Sequence, residues 1–386
     1  MALEANVQRP TLNVQRPTSE TLVRHLYVHI PFCARICPYC AFYKERADPA
    51  QTDRFCRALL EELHSLNGRF DLKPETIFFG GGTPTALSTA QLDVLLGGLH
   101  DSLDLTHLTE WTIEANPGSV SARKAALLQH HGVTRVSLGV QSWDDDLLKL
   151  LGREHNAAQA EESFRTLRAA QIPSLNIDLM FGLPGQTLGQ WETTLQKSVA
   201  LQPDHISAYC LTYEEDTEFF IRRATGEYRE DIETDARFFE TTMRVLEAGG
   251  FRQYEISNYA RPGHESAHNR GYWSGADYLG IGPSAFSTVG AKRTQNVADY
   301  RIYSDRILAS ESAVISTEPL SPAMKRAEQI ALSLRTRWGV PANWLEQWPV
   351  ERAEFMELGL LRSANDRFIL TTKGKMLADT VAAAFI

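Results

Sequence analysis

The chain lacks most of the features that would remove it from the class of ordinary reduced globular proteins. It has five cysteines in 386 residues, too few and too unevenly spread for a disulfide framework. No run of about 18 apolar residues occurs, so no membrane span is expected. The N-terminus has no apolar core of the secretory-signal kind, and a cytoplasmic location follows as an expectation. A basic excess is missing too. The formal net charge is −9, which speaks against general nucleic-acid binding. What remains is 43% hydrophobic and 23% charged, enough apolar residue to build a core without cross-links. The length fits one large domain with a smaller one attached.

The few cysteines are clustered. Three of the five fall in Cys33-Ala34-Arg35-Ile36-Cys37-Pro38-Tyr39-Cys40, a C-x3-C-x2-C spacing. The loop follows Leu26-Tyr27-Val28-His29-Ile30, which reads as a short buried strand. Soft thiolates on one tight loop suit zinc or an iron–sulfur cluster. A closed zinc site takes four protein ligands, and an ordinary [4Fe–4S] cluster takes four cysteines. Three cysteines leave one iron with an open position. The alternatives are a zinc loop completed by a histidine such as His29, or reduced structural cysteines. Cys56 lies among the apolar positions of a helix over 52–67 and reads as a core thiol.

After this loop, strand and helix patterns alternate. Strands are expected over 76–79, 111–115, 135–140, 174–180 and 205–211. Helices are expected over 52–67, 88–102, 119–131, within 144–170, and over 187–200. Apolar strands separated by helices indicate a parallel sheet covered by helices. Six strand–helix units, rather than eight, predict an α/β fold with an incomplete (β/α)6 barrel. The polar and glycine residues at the C-terminal strand ends mark the rim where such folds build their sites. Gly80-Gly81-Gly82-Thr83-Pro84 lets backbone approach a ligand closely, or is a plain tight turn. Residues 1–20 carry a duplicated Asn-Val-Gln-Arg-Pro-Thr, at 6–11 and 13–18, and read as a flexible tail. The barrel is assigned to 21–215 and a connecting region to 216–319. A C-terminal α+β module, 320–386, has the helix, helix, hairpin, helix order of a winged helix. Its bland role is packing, and the acidic chain disfavours a DNA-reading role.

The cysteine spacing, with an aromatic residue before Cys40, resembles the radical-SAM signature. The surrounding Tyr27-x-His29-Ile30-Pro31-Phe32-Cys33 is similar to the family of oxygen-independent coproporphyrinogen III oxidases and its branch of HemW-type heme chaperones. The resemblance implies a [4Fe–4S] cluster on Cys33, Cys37 and Cys40, with S-adenosylmethionine (SAM) chelated at the open iron. One electron from such a cluster breaks the sulfonium C–S bond and releases a 5′-deoxyadenosyl radical. Carried onto this chain, the resemblance assigns Gly81, Gly82 and Thr83 to the SAM amino group and Glu114 to the ribose. Gln141, Arg153 and Asp178 fall around the SAM cavity, and Tyr27 and Tyr39 beside the cofactor.

Two departures separate the branches. The oxidases carry a further cysteine two residues after the third ligand, where this chain has Phe42. They also have an N-terminal extension, whereas this chain reaches its first strand by residue 26. The chaperone branch more often has Asp where Ala41 stands. His268-Asn269-Arg270-Gly271-Tyr272-Trp273 resembles a motif of that branch and makes His268 the leading heme-ligand candidate, with His264 as the fallback. The implied function is to hold heme as cargo and pass it to respiratory heme proteins, with a homodimer and peripheral membrane association among the implied states. The resemblance leaves open whether SAM is cleaved. The rivals are coproporphyrinogen decarboxylation, another radical-SAM reaction on a tetrapyrrole, and a structural zinc protein.

Overall fold

The computed structural model describes residues 21–46 and 48–386; the duplicated segment lies outside them. Six parallel strands form the frame: β1 (Leu22–Ile30), β2 (Asp71–Gly81), β3 (Glu110–Ala115), β4 (Arg135–Gln141), β5 (Ser174–Phe181) and β6 (His205–Cys210). They pair in chain order. Strands β3, β4 and β5 are buried almost without interruption, as parallel strands covered on both faces must be.

Helices return the chain between strands: α1 (Pro49–Asn67), α2 (Thr89–Ser102), α3 (Ala122–His130), α4 (Asp145–Leu150), α5 (Ala157–Ala169) and α6 (Leu188–Ala200). Their starts are written in the sequence. Ser88 with Gln91, Asn156 with Gln159, and Thr187 with Gln190 each form a reciprocal capping box, satisfying N–H groups that a helix start leaves without partners. The helical region expected over 144–170 is two helices, separated by Gly152 at φ +66°. Cys56 is buried in the core, and burial pushes its thiol up to about 12.

The chain after the barrel adds α7 (Glu218–Ala224), α8 (Ile232–Ala248), β7 (Arg252–Gln253), β8 (Asn258–Ala260), α9 (Ala267–Trp273) and β9 (Leu279–Ile281). These strands join the barrel sheet, whose order is β9-β1-β2-β3-β4-β5-β6-β8-β7. β9 runs parallel to β1 and β8 antiparallel to β6. No strand was expected there, because three-residue strands carry too little periodicity to read.

An antiparallel sheet, β10 (Phe286–Val289), β11 (Lys292–Asn296) and β12 (Val314–Pro319), follows, with α10 (Tyr300–Leu308) packed on α1. The last part holds α11 (Pro322–Leu334), β13 (Val340–Pro341), α12 (Pro349–Glu357), β14 (Leu361–Ala364) and β15 (Arg367–Leu370), closed by short helices. It has a separate core around Ile330, Phe368 and Phe385. Among the described residues no helix is long and apolar enough to cross a membrane.

Candidate metal centre and cofactor cavity

The cysteine loop leaves the C-terminal end of β1. Phe32, fully buried, anchors its start by edge-on contacts with Phe55 and Tyr300 at 5.0 and 5.2 Å between ring centres. Within the loop, Cys40 N–H donates to the Cys37 carbonyl at 3.3 Å. Lys44 Nζ donates to the carbonyls of Cys40 and Phe42. The loop is also held from outside. Phe219 N–H, in α7, donates to the Pro38 carbonyl at 3.2 Å. Gly152 lies so close that a Cβ there would stand 2.8 Å from Pro38 Cδ.

The three thiols line one cavity of about 690 Å³. Burial pushes the thiols of Cys33 and Cys40 up. Cys33 Sγ lies 3.6 Å from Thr83 Oγ1, and an Arg153 nitrogen donates to Cys37 Sγ at 3.7 Å. Among the described residues, no three His, Cys, Asp or Glu side chains are grouped so as to hold a metal ion. His29 offers no free ring nitrogen to complete a zinc site, since both are engaged. Nδ1 lies 3.1 Å from Tyr27 Oη and Nε2 3.1 Å from the Tyr43 carbonyl. A carbonyl only accepts, so Nε2 carries the proton and Tyr27 donates to Nδ1. Burial holds this imidazole down to about 4.

The glycine turn at the end of β2 is pressed against the same loop. Gly82 N–H donates to the Ile30 carbonyl and Thr83 N–H to the Phe32 carbonyl, both at 2.8 Å. A Cβ on Gly82 would fall 2.7 Å from Pro31 backbone, and one on Gly81, at φ +105°, would fall 2.5 Å from the His29 ring. Only glycine fits either position.

The opposite wall is polar. Glu114 ends β3 and is pushed up to about 8 by burial and then by Asp178, against a hydrogen bond from Gly81 N–H. Asp178 is also raised by burial, although Ser137 Oγ–H at 2.8 Å and Asn176 Nδ2 at 2.7 Å donate to it. Gln141 takes φ +67° at the end of β4, a conformation rare outside glycine, where the register with β5 shifts. Two carboxyls and a guanidinium thus share a pocket with three thiols, a wall that offers hydrogen bonds to a polar ligand.

Residues 27–197 match the Radical SAM superfamily. The chain is 36% identical to the heme chaperone HemW of Bacillus subtilis, covering 94% of this chain and 99% of that one. It is 33% identical to the heme chaperone HemW of Escherichia coli, covering 94% and 97%. The chain belongs to the HemW family of radical-SAM proteins. The solved structure of coproporphyrinogen III oxidase (HemN) from Escherichia coli superposes with a TM-score of 0.80 at 24% identity, covering 96% of this chain and 90% of that one, and shows that the fold is shared.

Of the residues singled out in this HemW-family sequence, the three cysteines, Tyr39, Gly81, Gly82, Thr83, Glu114, Gln141, Arg153 and Asp178 all line the cavity. Tyr27 is not among the lining residues. It stacks on Phe78 and holds His29. Phe42 lies at the cavity, 70% exposed.

His268 is placed elsewhere. It lies on α9 beneath the barrel, 1% exposed, stacked on Phe78 at 5.0 Å and edge-on to Tyr272 at 5.0 Å. Its Nδ1 lies 2.7 Å from Thr76 Oγ1, and its Nε2 is buried without a partner. Burial pushes it down to about 3. His264 lies outside the cavity as well, 3.3 Å from Ser174 Oγ.

The cavity also takes residues that the sequence reading passed over: Asn116, Asn176, His205, Ser207 and Tyr209. The signal for them was present. Polar residues recur at every second position of β3 to β6, as in Asn176 and Asp178 or His205, Ser207 and Tyr209, and period two places them on one face of a strand.

Proposed function

We propose that the protein is a heme chaperone that carries one [4Fe–4S] cluster on Cys33, Cys37 and Cys40 and binds SAM at the remaining iron. Three thiols facing a cavity walled by the glycine turn, Glu114 and Asp178 is the observation that carries the cofactor half of this reading. When bound, the cluster and SAM supply one-electron cleavage of a sulfonium bond. This chain's residues bind and orient the cofactors. The heme half rests on the full-length relatives named heme chaperones and on His268. A neutral imidazole with an uncommitted, buried nitrogen is the form that binds iron, and leaving that nitrogen unpaired costs about 1–3 kcal/mol. For iron to reach it, α9 must move away from Phe78. Transfer to respiratory heme proteins, in the cytoplasm or as a dimer at a membrane surface, completes the reading.

The test is anaerobic purification with iron and sulfide analysis, followed by heme titration of wild type, His268→Ala and His264→Ala. Cluster content near four irons per chain and heme binding weakened only by His268→Ala are expected. Equal heme binding by all three removes the ligand assignment. Conversion of coproporphyrinogen III to protoporphyrinogen, with reductant and SAM, would replace the chaperone reading by an enzymatic one.

A further inference from the structure

Two of the three cluster cysteines are joined by a single hydrogen-bond relay whose centre is Asn116. Asn116 Nδ2 donates to Thr83 Oγ1 at 2.8 Å, and Thr83 Oγ1 lies 3.6 Å from Cys33 Sγ. On the other side, Asn116 Oδ1 accepts from an Arg153 nitrogen at 2.5 Å. That nitrogen also donates to the Gly139 carbonyl at 2.7 Å, while the second terminal nitrogen donates to Cys37 Sγ at 3.7 Å. Gly139 opens the space for this contact, since a Cβ there would meet Asn116 Oδ1 at 3.1 Å and Arg153 at 3.3 Å.

The polarity of the relay has one solution. Arginine only donates, so the amide atom facing it must be the oxygen. The amide nitrogen then faces Thr83 and can only donate. Thr83 Oγ1 therefore accepts from Asn116, and its own proton is free to point at Cys33. Both ends of the relay deliver a donor to sulfur. Donors directed at sulfur stabilise thiolate, and they stabilise it most when the cluster carries its extra electron.

We infer that Asn116 is a positioning residue that sets the reduction potential of the cluster, by holding Arg153 on Cys37 and turning the Thr83 hydroxyl towards Cys33. The inference rests on the cluster reading above. Asn116 touches neither sulfur and acts through its two neighbours.

The isosteric change Asn116→Asp tests it. An ionised carboxylate has no donor, so it accepts from both Arg153 and the Thr83 hydroxyl and draws that proton away from Cys33. Thr83→Val removes the same donor to Cys33 without adding charge. Thr83→Ser keeps it. Each protein is reconstituted anaerobically, assayed for iron and sulfide, and titrated against potential by its spin-resonance and absorbance signals. Asn116→Asp and Thr83→Val are expected to keep the cluster and to show about a tenfold lower ratio of reduced to oxidised cluster at a fixed potential, a downward shift of about 59 mV for a one-electron couple. Thr83→Ser should titrate with wild type. Intact clusters with equal potentials in all four proteins overturn the role of Asn116 and leave the cluster reading standing. A wild type that takes up no iron and sulfide overturns both.

Discussion

Glu110 offers a test of how the barrel holds α9, the helix with the candidate heme ligand. Its buried carboxylate, at the start of β3, accepts four donors. These are Arg135 Nε at 3.1 Å, Ser266 Oγ at 3.1 Å, and the N–H groups of Ala267 and His268, both at 2.9 Å. It therefore caps α9 from across the fold and pairs with a guanidinium as buried as itself. Glu110→Ala strands that charge, and breaking a buried pair from one side costs about 3–5 kcal/mol. The two N–H groups in the first turn of α9 lose their acceptor as well. With the urea m value unchanged, a loss near 4 kcal/mol appears wholly as a lower midpoint. Amide exchange localises it: a loss of about 3 kcal/mol in local opening speeds exchange at 267–273 roughly a hundredfold. Glu110→Gln with Arg135→Met leaves an acceptor for α9 and no stranded charge, and should recover part of the loss. An unmoved midpoint with unchanged exchange at 267–273 in Glu110→Ala would refute the reasoning.

Three further expectations can be checked directly. Gly82→Ala drives a Cβ into the Pro31 and Phe32 backbone, and should cost about 1–3 kcal/mol by overpacking and lower cluster retention, measured as iron per chain. Gly189→Ala, in the first turn of α6 with nothing within 4 Å of the added atom, should instead stabilise by about 0.4–1 kcal/mol in a urea titration. Glu62 is raised to about 7 by burial against bonds from Tyr303, Gly282 and Asn296, and Glu114 to about 8. In both, the folded state holds its proton to higher pH than the unfolded one, so their contribution is complete below about 4.5 and is lost as pH rises through 7 to 8. The urea midpoint should fall across that window, and the fall should be shallower in Glu62→Gln. A midpoint that rises there refutes the assignment.

Much of the barrel was legible because its signals are local. The cysteine spacing, the glycine turn, the near-continuous apolar strands and the capping pairs each lie within a dozen residues. Polar residues at every second position of an otherwise buried strand also mark the wall of the cavity, although Asn116, Asn176 and His205 carry no signal as single residues. Strands β8 and β9 were not legible. A three-residue strand exists only because a neighbour such as β1 or β6 offers hydrogen bonds, and that neighbour is far away in sequence.

The same division runs through the site. The sequence by itself determined which three sulfurs share one loop at the cavity, because spacing within a loop needs no partner. It marked the glycine turn too, but only the fold shows why glycine is required there, where a Cβ would meet Pro31 and the His29 ring. Only the tertiary structure decided what those sulfurs receive. Arg153 reaches Cys37 across 116 positions of chain, and Asn116 meets Thr83 across 33. Only the fold decided that His268, in a motif plain in the sequence, lies under the barrel with its Nε2 covered. Long-range placement is set by how helices and strands pack, and no window of sequence carries it.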